Sequence, residues 1–409
     1  MDWFASIVSS LNNVLWSYVL IGLLICVGLW FTFCTRFVQI TNVREMFRCV
    51  LEGSRTPRPE GHISPFQAFC ISTASRVGVG NIAGIAIAVV TGGPGAIFWM
   101  WVIATLGAAS GFIESTLAQI YKVKKPGGGF MGGMTRIAKV ASFMVPFMAG
   151  AYLLLAFVVT CMNITEVPRV LLMIVTKAFS FDSITGAAIG VALMTGIKRG
   201  LFSNEAGMGA VPNAAAAADA SHPVKQGLIQ AMGVYFDTLF VCTASAMLVL
   251  LSPEWMMGSK LTGIALVQKS VAGQLGEWTN FFMTVIVLFF AFSSIIGNYF
   301  YGEMNMPFIS KSKYAMPIFR VFVVVMVFVG SIASLSLVWD LADLFMALMA
   351  IVNLVAIFML GKYAIAALRD YSAQKRRGIL DPIFDPRILP DKKGVQCWPR
   401  DEDPRRKVN

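Results

Sequence analysis

The chain has 409 residues, of which 57 % are hydrophobic and 13 % charged, about half the ~25 % charged share of a typical soluble domain. With a mean hydropathy of +0.71 there are too few polar side chains to cover a water-facing surface, which excludes soluble, disordered and disulfide-scaffold classes. The net charge of +11 would suggest nucleic acid in a soluble protein, but here the basic residues lie almost entirely between apolar runs.

A bilayer-crossing helix needs about 20 mostly apolar residues. By that measure nine spans are expected, over 14–33, 66–90, 96–120, 141–162, 181–197, 228–251, 281–301, 315–336 and 341–360. The first is expected to be a retained helix, because the 13 residues before it hold no Lys or Arg and no cleavage signature. With the N-terminus outside, the alternate loops and the tail place 28 Lys and Arg on the cytoplasmic side against four outside, with Arg76 left inside a span. This asymmetry follows the positive-inside rule and puts the C-terminus in the cytoplasm. It also removes the nucleic-acid reading. The seven Cys form no C-x-x-C pair and read as buried thiols.

In chain order, the first unusual segment is STASRVGVGNIAG, 72–84, inside an otherwise apolar span. Glycines, an Arg and an Asn at membrane depth are costly unless the backbone is unwound against protein or a water-filled cavity. Broken helices of this kind build the ligand and cation sites of secondary transporters. The alternative is a helix-packing face, with Gly80 and Gly84 as a small-xxx-small pair. A dinucleotide-binding reading of Gly78 to Ala83 fails for want of a preceding strand and an acidic residue about 20 positions on.

Glu114 and Asp237 are isolated acids inside spans, and Arg76 is the expected partner of Glu114 in either a structural ion pair or a relay. The Gly-rich stretch 186–209, with Gly190 as a candidate substrate contact, ends in an expected polar loop carrying Lys198, Arg199, Asn204 and Glu205. It reads equally as the second broken helix of an inverted repeat or as a short interfacial helix. Ser293 and Ser294, with Asn298, either bond back to their own helix or supply oxygen donors to a sodium ion. No Ser/His/Asp, Cys/His or paired-carboxylate set emerges, and His62 and His222 lack metal-ligand spacing, so no enzyme is expected. From Lys375 onward the chain reads as a solvated extension touching anionic lipid.

The strings SRVGVGNIAGIAIAVVTGGPGAIFWMW, RGLFSNEAGMGAVPNAAAAA and AFSSIIGNYFYGE strongly resemble the alanine or glycine:cation symporter family, also called sodium:alanine symporters. The resemblance runs from the first span into the tail. It implies an all-α integral membrane protein of the LeuT type, two inverted five-helix repeats preceded by one helix, in a bacterial cytoplasmic membrane. It implies sodium-coupled uptake of small neutral amino acids such as alanine or glycine, with Na+ as coupling ion and no other cofactor. On this resemblance Gly78, Gly80 and Asn81 meet the substrate, Ser294 faces it, and Asn298 stands where many members carry a Trp. Val77, Ser293 and Ser294 then form the sodium site.

Between Phe130 and Thr135 the family carries about sixty more residues, which by the span length is two helices. Their loss accounts for nine spans rather than eleven and shortens the first repeat near 130–135. The transporter domain is then 1–370 and the cytoplasmic tail 371–409. Such a chain is expected to transport poorly, or to be rescued by self-association. A truncated member that inserts without transporting is the alternative to a working symporter.

Overall fold

The computed structural model describes residues 2–55, 62–123, 135–180, 187–255 and 261–398. Among them the elements are helices, apart from one isolated bridge between Ile63 and Ala218. Apolar sequence explains this, since a helix satisfies its own N–H and C=O groups without water.

Seven helices are long and apolar enough to cross a membrane. They are α1 (Trp3–Cys34), α5 (Gly95–Ile120), α6 (Thr135–Met162), α10 (Pro223–Leu250), α12 (Trp278–Ile309), α13 (Ala315–Ile332) and α14 (Leu335–Arg376). An eighth span is the pair α3 (Pro65–Arg76) and α4 (Gly80–Gly92), bent by 52° at its break. The remaining elements include the amphipathic α2 (Val43–Arg55), α7 (Val167–Ala178), α8 (Ala187–Asn204), α9 (Pro212–Ala217) and α11 (Gly263–Leu275).

The expected span 181–197 corresponds to α8, whose first expected residues lie outside the described ones. The junction at Phe130 to Met134 also lies outside them. α8 runs on to Asn204, so Lys198 and Arg199 are helical rather than in a loop. The reason is charge pairing. Buried Arg199 places Nη2 at 2.6 and 2.5 Å from the Asp343 carboxylate of α14, with its guanidinium 4.6 Å from the Trp339 ring centre. A buried Arg is tolerated when it is paired in this way.

Small residues set the helix spacing. A Cβ at Gly227 of α10 would sit 2.8 Å from the Phe112 carbonyl of α5, so only glycine permits that approach. By contrast, α13 rests on α12 with no residue buried, and Phe322, Val324 and Phe328 face outward.

The described part of the tail, 375–398, is docked on the helices rather than a solvated extension. Phe384, Leu389 and Trp398 are buried, and Trp398 Nε1 donates to the Gln119 carbonyl at 3.1 Å. The Phe384 N–H donates to the Ser221 carbonyl at 3.1 Å, and Lys225 Nζ reaches Asp381 at 2.5 Å. Large apolar side chains interleaved with the charges drive this docking.

Candidate functional site: a broken helix and a left-handed turn joined by an aspartate

The first break follows from α3 having a strong start and no means to continue. Ser64 accepts from the Gln67 N–H, Gln67 returns a bond to the Ser64 N–H, and Pro65 sits in the first turn, which together form a capping box. At Val77 the backbone leaves the helix with ψ 85°, and the chain re-enters at Gly80. The Gly78 N–H donates to Asn81 Oδ1 at 2.9 Å, and the Asn81 N–H donates to the Gly78 carbonyl at 3.1 Å. Asn81, fully buried, then spends its amide on Asp237 Oδ1 at 2.6 Å and Cys242 Sγ at 3.3 Å.

The second break lies between α8 and α9. Glu205, Gly207 and Gly209 have φ of +53°, +79° and +80°, the left-handed region that costs glycine little and Glu more. Backbone donors exposed by this turn are taken by a remote carboxylate. The Gly207 and Gly209 N–H groups each donate to Glu114 at 3.2 Å, and Asn353 Nδ2 donates to the same carboxylate at 2.7 Å. Ser203 Oγ donates to Asp237 Oδ2 at 2.7 Å, and Thr238 Oγ1 donates to the same oxygen at 3.0 Å. Asp237 thus takes one break on each carboxylate oxygen.

The structure brings some expected residues together and not others. Gly78 lies directly on Ser294, where any Cβ would overlap Ser294 Oγ. Val77 is buried beside it, and a Cβ on Gly80 would be 2.8 Å from the Phe202 ring of α8. Ser293 is buried and donates to the Phe290 carbonyl of its own helix at 2.9 Å. Asn298 is exposed and donates back to the Ser294 carbonyl at 2.9 Å. Gly190 is exposed with open space around it, about 18 Å along α8 from Phe202 at 1.5 Å per residue.

The expected Arg76–Glu114 pair is absent among the described residues. Glu114 is occupied by the second break. Arg76 instead donates from Nη1 to the Gln230 carbonyl at 3.1 Å and lies in the niche left by Gly233, where a Cβ would collide with it.

Sequence reading missed Ser75, Ser203, Gln230 and Asn353 as partners. The Asp237 and Glu114 singletons were the available signal, because an intramembrane acid demands donors. Those donors lie 34 to 239 residues away in sequence, where spacing carries no information.

Outside the spans, burial pushes the Cys49 thiol up to about 11. Burial pushes His222 below its usual range, against the opposing pull of its hydrogen-bond partner Asp370.

Comparison with known proteins adds an independent line. The profile of the sodium:alanine symporter family matches residues 1–135 and 129–386. Among curated relatives, the probable sodium/glutamine symporter GlnT of Bacillus subtilis is 45 % identical, with 96 % of each chain covered. The amino-acid carrier protein AlsT of the same organism is 39 % identical, with 97 % of this chain and 98 % of AlsT covered. The sodium/alanine symporter AgcS of Methanococcus maripaludis is 31 % identical, with 90 % of this chain and 97 % of AgcS covered. The GlnT alignment runs over 460 positions, more than the 409 residues of this chain, so that relative carries sequence with no counterpart here. Profile coverage and identity together establish that the chain belongs to the sodium:alanine symporter family.

Proposed function

We propose that the chain carries small neutral amino acids, alanine or glycine, across a bacterial cytoplasmic membrane together with sodium, by alternating access of two broken helices. One observation carries this reading: in a member of this family, the two unwound segments meet on one buried aspartate, with Gly78 facing Ser294 beside them. The LeuT-type arrangement, with the N-terminus outside and a transporter domain over 1–370, is part of the proposal.

In this reading the substrate contacts are the backbone at Gly78 and Gly80, the Asn81 amide and Ser294. Sodium lies at the Val77 carbonyl and the hydroxyls of Ser293 and Ser294. A hydroxyl that donates to Phe290 still has lone pairs for a cation. Asn298 and Gly190 lie off this pocket and are left out of it. Binding and release need no covalent step, only a cavity whose polar groups are re-satisfied in each state.

A second reading, a shortened member that inserts but transports poorly, draws on the family match dividing at 129–135 and on the bare flanks of α13. Two missing helices would leave such a flank open to lipid or to a second copy.

The test is binding of labelled alanine to the purified chain with sodium or potassium, with glycine and glutamine as competitors. Sodium-dependent saturable binding is expected. Binding indifferent to sodium would overturn the coupling.

A further inference from the structure

Three buried acids, Glu114, Asp237 and Glu205, lie within electrostatic reach of one buried arginine, Arg76, and they are not equally supplied. Glu114 receives three N–H donors, from Gly207, Gly209 and Asn353. Asp237 receives Asn81, Ser203 and Thr238. Glu205 receives only Ser75 Oγ, at 2.5 Å on Oε1, while its Oε2 has no hydrogen-bond partner and the residue is 5 % exposed. Among the described residues no basic side chain comes within ion-pair distance of it. Arg76, 2 % exposed, is also short of partners at Nε and Nη2.

Donor supply decides charge in such a place. A carboxylate wrapped in N–H donors is held as an anion, whereas one with a bare oxygen and a single hydroxyl neighbour cannot meet the cost of burying its charge. The hydroxyl of Ser75 is compatible with either form, since it can donate or accept. We propose that Glu205 is a proton-binding site, neutral in this conformation, and that its proton exchanges with the aqueous phase as the second break moves. Its transport role rests on the symport reading above, but the protonation itself does not.

The position suits a changing proton load. Glu205 sits at the left-handed residue that starts the break (φ 53°), a conformation whose strain is expected where a segment rearranges. The charged and titratable groups facing it are Arg76 from α3, Glu114 from α5, Asp237 from α10 and Tyr301 from α12. In a rearranged state the bare Nε and Nη2 of Arg76 can receive the carboxylate, which releases the proton to water. In this state the proton replaces that missing counter-charge.

The test has two arms. Infrared spectra of the reconstituted chain, taken across the neutral pH range, are expected to show a protonated-carboxyl carbonyl band. That band should be lost in Glu205→Gln and kept in Glu114→Gln and Asp237→Asn. If Glu205→Gln does not fold, Ser75→Ala should shift the band frequency. A band that survives Glu205→Gln, ignores Ser75→Ala, or vanishes with Glu114→Gln or Asp237→Asn would overturn the assignment. In the second arm, alanine uptake is followed with a trapped pH dye, and the ratio of protons to alanine should fall at least ten-fold in Glu205→Gln. An unaltered ratio would remove the transport role. Absence of uptake by the unmodified chain would instead fault the symport reading, with the infrared arm still deciding the proton site.

Discussion

At the first break the freed N–H of Gly78 is taken by Asn81, three residues further on. At the second, the N–H groups of Gly207 and Gly209 are taken by a carboxylate more than ninety residues away, with Asn353 of α14 bonded to the Gly207 carbonyl. The first turn therefore closes its own backbone donor, with Asn81 tied in addition to Asp237 of α10. The second depends on α5 and α14, so any shift of those helices must change its hydrogen bonds. The second break is accordingly the one whose backbone donors rest on other helices, and it is also where the under-supplied Glu205 lies.

The largest expected effect comes from cutting the link between the breaks. Asn81→Ala removes both the acceptor for Gly78 and the donor to Asp237, and should weaken sodium-dependent alanine binding at least ten-fold, about 1.4 kcal/mol or more. Unaltered binding would mean that the first break is not at the substrate.

Next is the ion pair that anchors α8 to α14. Arg199→Ala leaves Asp343 buried and unpaired and should lower unfolding stability by about 3–5 kcal/mol. Adding Asp343→Ala should recover part of that loss in a thermal or denaturant titration. A strictly additive double variant would show that the pair is not coupled.

Glu114→Gln keeps the shape and removes the charge that holds two backbone donors, with an expected cost of about 2 kcal/mol. Hydrogen exchange should rise at 205–211 and stay level at 77–81. Equal increases at both would break the distinction between a self-closed and a remotely held turn.

The smallest effect is one of pH. His222 is buried and held below its unfolded value of about 6.5. Its neutral form is favoured in the folded chain, so stability is full above that value and declines as pH falls below it. The melting temperature of the wild type should drop more steeply on acidification than that of His222→Gln.

The first break was legible because glycines, Asn81 and Arg76 at membrane depth have no cheap helical explanation. Eight of the nine expected spans correspond to the seven long helices and the bent pair, since hydropathy over a span-length window is a strong signal. Arg199 was misplaced because a buried pairing with Asp343 has no trace in local sequence. The tail was misread for a related reason. Its charges dominate the composition, while Phe384 and Trp398, which dock it, are few. Arg76 was assigned to Glu114 on charge alone, where backbone donors from the second break had the better geometry.

The central claim is tested most directly by uptake of labelled alanine into proteoliposomes of the purified chain, with and without an inward sodium gradient. Accumulation that requires the gradient and is lost in Asn81→Ala is the predicted result. No accumulation by protein shown to be folded and inserted would contradict it and favour the shortened, non-transporting reading.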